Sequence, residues 1–401
     1  MRYRLSILTV VALQGVACSD SSGPDSVEPG PIAFHVDGLG TVQERFTAEL
    51  AVRGDVAYTT TWGARTVGDV TARGNAIKIW NVAGSAPVLV DSVIVDNAIT
   101  LGDIQLSDDG KLLVVATEYS PGSIVIYDLT SPLKPSFLSR FSNANTAPGV
   151  HTAEVQRVNG KLYAFLCVDP GLNFPARLVV VDLQAPLTPV QALSLEMGSP
   201  YVHDVFVRNG ILMTALWNAG IAIFDVGGGG RGGSVASPVQ LGAVATVGGR
   251  AHNIWWLNDP ITGSNKFAFV GEEGPSAFGT SSAGDIHVVD VSDMANPREV
   301  AFFSLAGGGT HNFSVDESRG VLYAAYYNRG VRALNVRGDL GSCSAGERAA
   351  DGRCDLSKMG RDLGGGLTDQ TMPVYVWGVQ ASGSKLFASD MFNGLWKLST
   401  Q

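Results

Sequence analysis

Apolar residues run along this chain in short blocks rich in Val, Ile and Leu, each cut by turn-forming residues. One unit reads Ser123-Ile124-Val125-Ile126-Tyr127-Asp128-Leu129, then Ser131-Pro132-Leu133-Lys134-Pro135. It returns as Arg177 to Leu183 followed by Ala185-Pro186-Leu187-Thr188-Pro189, and as Asp285 to Val291 followed by Asp293-Met294-Ala295-Asn296-Pro297. Weaker copies lie at Ala76 to Val82, Ile221 to Val226, Val331 to Val336 and Gly394 to Leu398, which makes seven. Asn81, Asp128, Asp182, Asp225, Asp290 and Asn335 end the block in six of them, 43 to 65 residues apart. A second apolar run precedes each block, such as Val56 to Trp62 or Leu112 to Glu118. Before it comes a third run that ends in a hairpin signal such as Arg208-Asn209-Gly210. A fourth follows the Pro, such as Arg298 to Phe303.

Four short antiparallel strands repeated at such a period predict an all-β fold, a seven-bladed β-propeller of four-stranded antiparallel blades over residues 32–401. The last unit stops after its third strand, so Ile32 to Val36 is expected to supply the missing outer strand and close the ring. Composition agrees: 49 Gly and 18 Pro among 401 residues, with 45% apolar and 16% charged residues, favour strands, turns and a large core over disorder. A net charge of −9 argues against nucleic acid as a partner.

The strand, the Asp and the Asp/Ser-Pro-x-x-Pro turn resemble the LVIVD-repeat family of bacterial surface and secreted propellers. The match covers most of residues 44–401, although the copies around Ile221 and Val331 lack the full Pro pair. The resemblance implies a propeller outside the cytoplasm and names no activity, since propellers host enzymes, binders and scaffolds alike.

The first residues read as an address. Met1-Arg2-Tyr3-Arg4 is basic and Leu5 to Ala17 mostly apolar, and Gly15-Val16-Ala17-Cys18 resembles a bacterial lipobox with Gly15 where Leu is usual. Residues 1–17 are therefore expected to be a signal peptide, Cys18 a lipidation site and residues 18–31 a tether. The expected location is periplasmic or cell-surface, with membrane contact only through the anchor; cleavage after Ala17 without lipid would leave a secreted protein. Cys343 and Cys354, with ten residues between them in a polar loop, are expected to form a disulfide in an insertion of the sixth blade, with local effect. Cys167, in an apolar run, is expected to be a buried free thiol. Gly227 to Gly233 reads as a flexible hairpin, and His35 and His287 stand apart from the other histidines.

The remaining four of six His recur at nearly one position of the repeat. Counted from the turns, the starts of the inner strands align as Ala48-Glu49, Gly102-Asp103, Ala153-Glu154, His203-Asp204, His252-Asn253, His311-Asn312 and Trp377-Gly378, with His151 two residues ahead. Glu49, Asp103, Glu154, Asp204, Asn253 and Asn312 form a polar ring beside them. Two functions follow. In the first, the propeller is a binding or scaffold module whose top face and channel mouth take a protein, glycan or small molecule. In the second, His203, His252 and His311, with His151 close by and Asp204 and Glu154 sharing the site, hold a divalent metal in a hydrolase or oxidase. Residues ending the second strands, among them Trp62, Glu118, Asp169, Trp217, Asn218, Glu272, Glu273, Tyr326, Tyr327 and Asp390, should reach the same face, the aromatic ones mainly as packing.

Overall fold

The structure, a computed structural model, describes residues 28–172, 174–198, 201–368 and 370–401. The segments expected to be signal peptide and tether, with Cys18, lie outside the described residues up to residue 27. Seven sheets stand around a central channel, and their innermost strands are Phe46–Arg53, Thr100–Leu106, Val150–Val158, Asp204–Arg208, Ala251–Trp256, Phe313–Asp316 and Val376–Ser382. Each blade is an antiparallel meander of four strands. Blade 7 is completed from the other end of the chain, where Phe34–Thr41 pairs with Gly394–Thr400. The predicted closure is therefore present, with a strand that starts two residues later and runs five further than the apolar block Ile32 to Val36.

The apolar core lies between blades rather than inside any one of them. Leu112–Glu118 is buried at every position, which is why the second strands read as continuous apolar runs and not as an alternation. Seven clusters of buried side chains fill the seven blade-to-blade interfaces. An eighth, centred on Tyr327, Tyr375 and Met391, lies at one end of the channel.

The recurring Asp or Asn has one structural cause. Its side-chain oxygen accepts a hydrogen bond from the backbone N–H two residues on in all six units: Asn81 from Ala83, Asp128 from Thr130, Asp182 from Gln184, Asp225 from Gly227, Asp290 from Ser292 and Asn335 from Arg337, at 2.7–3.0 Å. This turn ends the third strand and starts the crossing to the fourth. Asp225 goes further, since its carboxylate also accepts from the N–H groups of Gly228, Gly229, Arg231 and Gly233. The Gly-rich segment is thus wrapped around Asp225 and is not the flexible hairpin expected; those N–H groups hold the carboxyl well below its usual range despite burial.

Cys343 and Cys354 are joined, and Cys167 is a buried free thiol. The loop that holds the disulfide is inserted between the last two strands of blade 6, but its influence is wider than expected. Cys354–Asp355 pairs in parallel with Ala301 and Phe302, adding a short fifth strand to blade 5. Cys354 and Leu356 are fully buried in the core between blades 5 and 6, and Arg353 stacks on Phe302 and pairs with Glu299.

Glu299 also meets His287, a fully buried imidazole with Nδ1 2.9 Å from Glu299 and Nε2 3.6 Å from Glu272. Burial opposes its charge, but the two carboxylates outweigh burial and raise its pKa to about 9. The unfolded value is near 6.5, so this pairing stabilises the fold fully below that value, and the contribution is lost as pH rises through about 9. Over this interval the His287 contribution, on the order of 3 kcal/mol, should disappear. Denaturant titrations at pH 6 and pH 9.5 are expected to show the decline in the native chain and a flatter profile in His287→Gln; parallel profiles would contradict the assignment. The other histidine set apart, His35, is exposed on the closing strand.

Candidate metal centre

The first residues of the inner strands gather at one end of the channel, and backbone bulges aim several of them. In blade 5 Ala251 faces Glu272 and Asn253 faces Gly271, which leaves His252 as the extra residue. The same irregularity isolates His151 in blade 3, between Val150 and Thr152, and Trp377 in blade 7, between Val376 and Gly378. A bulge re-aims a side chain without ending the strand. His151 is therefore equivalent to His252 and Trp377 and does not lie two residues ahead of them. Counting back from the turn misplaces it because Val150–Val158 is a nine-residue strand, against five for Asp204–Arg208.

Four consecutive blades thus present His151, His203, His252 and His311, with neighbouring ring centroids 4.2, 4.1 and 4.1 Å apart. Blade 2 carries Gly102 at this end, where a Cβ would lie 2.1 Å from the His151 carbonyl oxygen, so only Gly leaves that backbone its path. Trp217 stacks on His203, with centroids 5.2 Å apart, and Trp377 packs against His311 at 4.3 Å. Trp217, expected mainly as packing, and Trp377, from the inner-strand column, both pack on the imidazoles themselves.

Glu273, just beyond Phe267–Glu272, brings its carboxylate into the arc. Its Oε2 lies 3.8 Å from Nε2 of both His203 and His252, while Tyr327 donates a hydrogen bond of 2.6 Å to its Oε1. The ligand atoms of His203, His252 and Glu273 all lie within 4.8 Å of one another. Ligands of one metal with bonds near 2.0–2.2 Å sit roughly 3–4 Å apart, so small side-chain movements would complete a shell. The set is consistent with a divalent metal site. Its chemistry fits as well: burial, reinforced by neighbouring histidines, holds His203, His252 and His311 well below the usual imidazole range, so they remain neutral ligands at neutral pH. His311 donates from Nδ1 to the Trp377 carbonyl at 2.7 Å, which fixes its tautomer and leaves Nε2 unprotonated. Among the described residues, the buried Nδ1 atoms of His203 and His252 have no hydrogen-bond partner.

His151 differs from the other three. Its Nε2 is 2.9 Å from Nε2 of His203, the spacing of two nitrogens side by side on one metal or of a single N–H···N bond. Its Nδ1 lies 3.6 Å from Glu118 and 3.8 Å from Asp169. Burial works against its charge, yet these carboxylates, with Glu273 and Asp204, raise its pKa. Burial in turn drives Glu118 up to about 7, against the pull of His151 and a hydrogen bond from Trp62.

The expected carboxylate partners, Asp204 and Glu154, do not form that cluster. Each follows the histidine layer along its strand, and the step away from His203 carries Asp204 onto its own Val205 N–H at 2.8 Å. Glu49, Asp103, Asn253 and Asn312 line the channel with them. Glu49 accepts from Asn312 at 2.7 Å and lies 3.8 Å from Nδ1 of His311, and Asp103 accepts from the Ala153 N–H at 3.3 Å. Of the other second-strand residues, Glu272 pairs with Arg250 and His287, Asp390 accepts from Trp396 and Asn393, Tyr326 packs on Phe303, and Asn218 lies beside Gly249.

No protein-family model matches this chain, and no curated protein matches it.

Proposed function

We propose that this propeller is a metal-dependent enzyme, hydrolytic or oxidative, with His203, His252 and Glu273 as the core of its metal centre. One observation carries the reading: two buried imidazoles at the end of a channel and one carboxylate offer ligand atoms within 4.8 Å of one another. Such a metal would act as a Lewis acid toward water or a substrate oxygen, or as a redox centre. The protein's own part is to hold the imidazoles neutral and oriented, to brace Glu273 through Tyr327, and to screen the centre with Trp217 and Trp377. A binding or scaffold role would leave unexplained why neutral imidazoles are stacked around a carboxylate. Metal analysis of the purified chain should find about one transition-metal ion per molecule, removable by chelator and restored by one metal in preference to others. A metal-free protein that takes up none would sink the reading.

The export reading is the second part of the proposal. The basic start, the apolar Leu5 to Ala17 and Cys18 support an exported protein held to a membrane by lipid, and the resemblance to LVIVD-repeat surface proteins supports the same location. Cys18→Ser should move the protein from the membrane fraction to the soluble fraction. A native chain already soluble after export would contradict anchoring.

A further inference from the structure

The channel behind the histidines has a chemistry of its own. It is a cavity of about 690 Å³ running from the imidazole layer to the opposite mouth, where the inner hairpins turn at Arg53, Asp108 and Arg208. We propose that this cavity binds a small organic amine in its cationic form, with Glu154 as the main counter-charge. The inference rests on the metal-centre reading in taking the cavity as that centre's substrate space.

The charge balance of the wall comes first. Carboxyl groups line the channel at Glu49, Asp103, Glu154 and Asp204, and among the described residues its only Lys or Arg side chains are Arg53 and Arg208 at the far rim. Both are engaged: Arg208 with Glu317 at 2.7 Å and the Trp256 carbonyl, Arg53 with the Asp108 carbonyl at 3.3 Å. Glu154 makes no hydrogen bond or ion pair among the described residues, and burial with Asp204 and Asp103 nearby holds its carboxyl well above the ordinary range. A carboxyl so placed gains from any cation that enters.

The second observation is independent of the acids. His252 lines the same cavity, is 3% exposed, and keeps a buried Nδ1 without a partner among the described residues. The wall therefore holds an unanswered polar group from each of two chemistries. An inorganic ion does not answer the carboxylates, because the only metal-sized convergence of ligand atoms among the described residues is His203, His252 and Glu273. The acids are spread more widely, as a larger organic cation requires. Trp62, Trp377, Phe206 and Trp255 line the same space, and Phe206 already carries the Arg208 guanidinium at 5.0 Å. Aromatic faces beside carboxylates suit an ammonium with an apolar body.

Three ligands of one shape and different charge test this: benzylamine, benzyl alcohol and benzoate, titrated calorimetrically into the metal-loaded protein at pH 7.5. Benzylamine should bind at least about 10-fold more tightly than the alcohol, and benzoate should not bind. Glu154→Gln should weaken benzylamine about 10-fold while metal content and melting stay unchanged, and Glu154→Asp should restore most of the affinity. Should Glu154→Gln fail to fold, Asp103→Asn serves as the second variant, with the same direction expected. Equal binding of amine and alcohol, preference for benzoate, no binding of any of the three, or variants without effect would overturn the proposal. Amine binding that persists in protein unable to hold metal would keep this inference and sink the metal centre; one metal per chain without discrimination by charge would do the reverse.

Discussion

A chain that begins at Glu44 should lose most of its cooperative stability. Such a chain lacks Phe34–Thr41, the outer strand of blade 7, and leaves Gly394–Thr400 as an unpaired edge. Trp396 and Leu398 lose their cover. So does Trp80, which is fully buried with Gly40 so close that a Cβ there would lie 2.5 Å from its ring. The contacts of Asp37 with Lys385 and Ser399, at 2.8 and 2.7 Å, also go. Uncovering three large side chains costs on the order of 5 kcal/mol, comparable with the whole stability of many domains, and the open edge invites aggregation. Thermal melting of the two chains side by side is the measurement, and equal midpoints would show that the ring does not depend on this strand.

His252→Ala should abolish metal binding while the propeller still folds. His252 sits between His203 and His311 and shares Glu273 with His203, so its loss removes one ligand and loosens two more. Loss of an orienting partner alone lowers metal affinity about 10–100-fold, and loss of a ligand should exceed that. Glu273→Gln is the milder companion, since it keeps the shape and the Tyr327 contact but removes the charge. In the native chain, metal present at about 1,000 times its Kd should stabilise the fold by about 4 kcal/mol, and His252→Ala should lose that increment. The increment should hold through about pH 6.5 and shrink only at lower pH, because burial keeps the ligand imidazoles well below the usual range and protons compete with the metal only there. Undiminished metal content in His252→Ala would place the metal elsewhere.

The fold is legible in the sequence because each blade repeats the same physical solution. Strands buried on both faces appear as unbroken apolar runs, and Asp128, Asp182 and Asp290 recur because each closes the same turn. The closing strand is legible for the complementary reason that the last unit lacks a partner. The site is less so. His203, His252 and His311 stand out by their period, but His151 is displaced by a bulge, and bulges leave no mark in a count of residues. Glu273 follows a second strand and meets His203 from the neighbouring blade, a contact across two repeat positions that periodicity does not encode. The adjacent pair Glu272-Glu273, at a position where other blades carry Trp217 or Tyr327, was the available signal. Asp204 is adjacent to His203 in sequence, which in a strand separates side chains rather than joining them, and Glu154 joins the ring only in an alignment that the bulge at His151 shifts.

The most direct measurement is anomalous X-ray diffraction from crystals of the metal-loaded protein, with data on both sides of the metal's absorption edge. A single peak is predicted about 2.0–2.2 Å from a ring nitrogen of His203, a ring nitrogen of His252 and a carboxylate oxygen of Glu273. A peak bound elsewhere, or no peak with the imidazoles hydrogen-bonded to one another around Glu273, would contradict the metal centre.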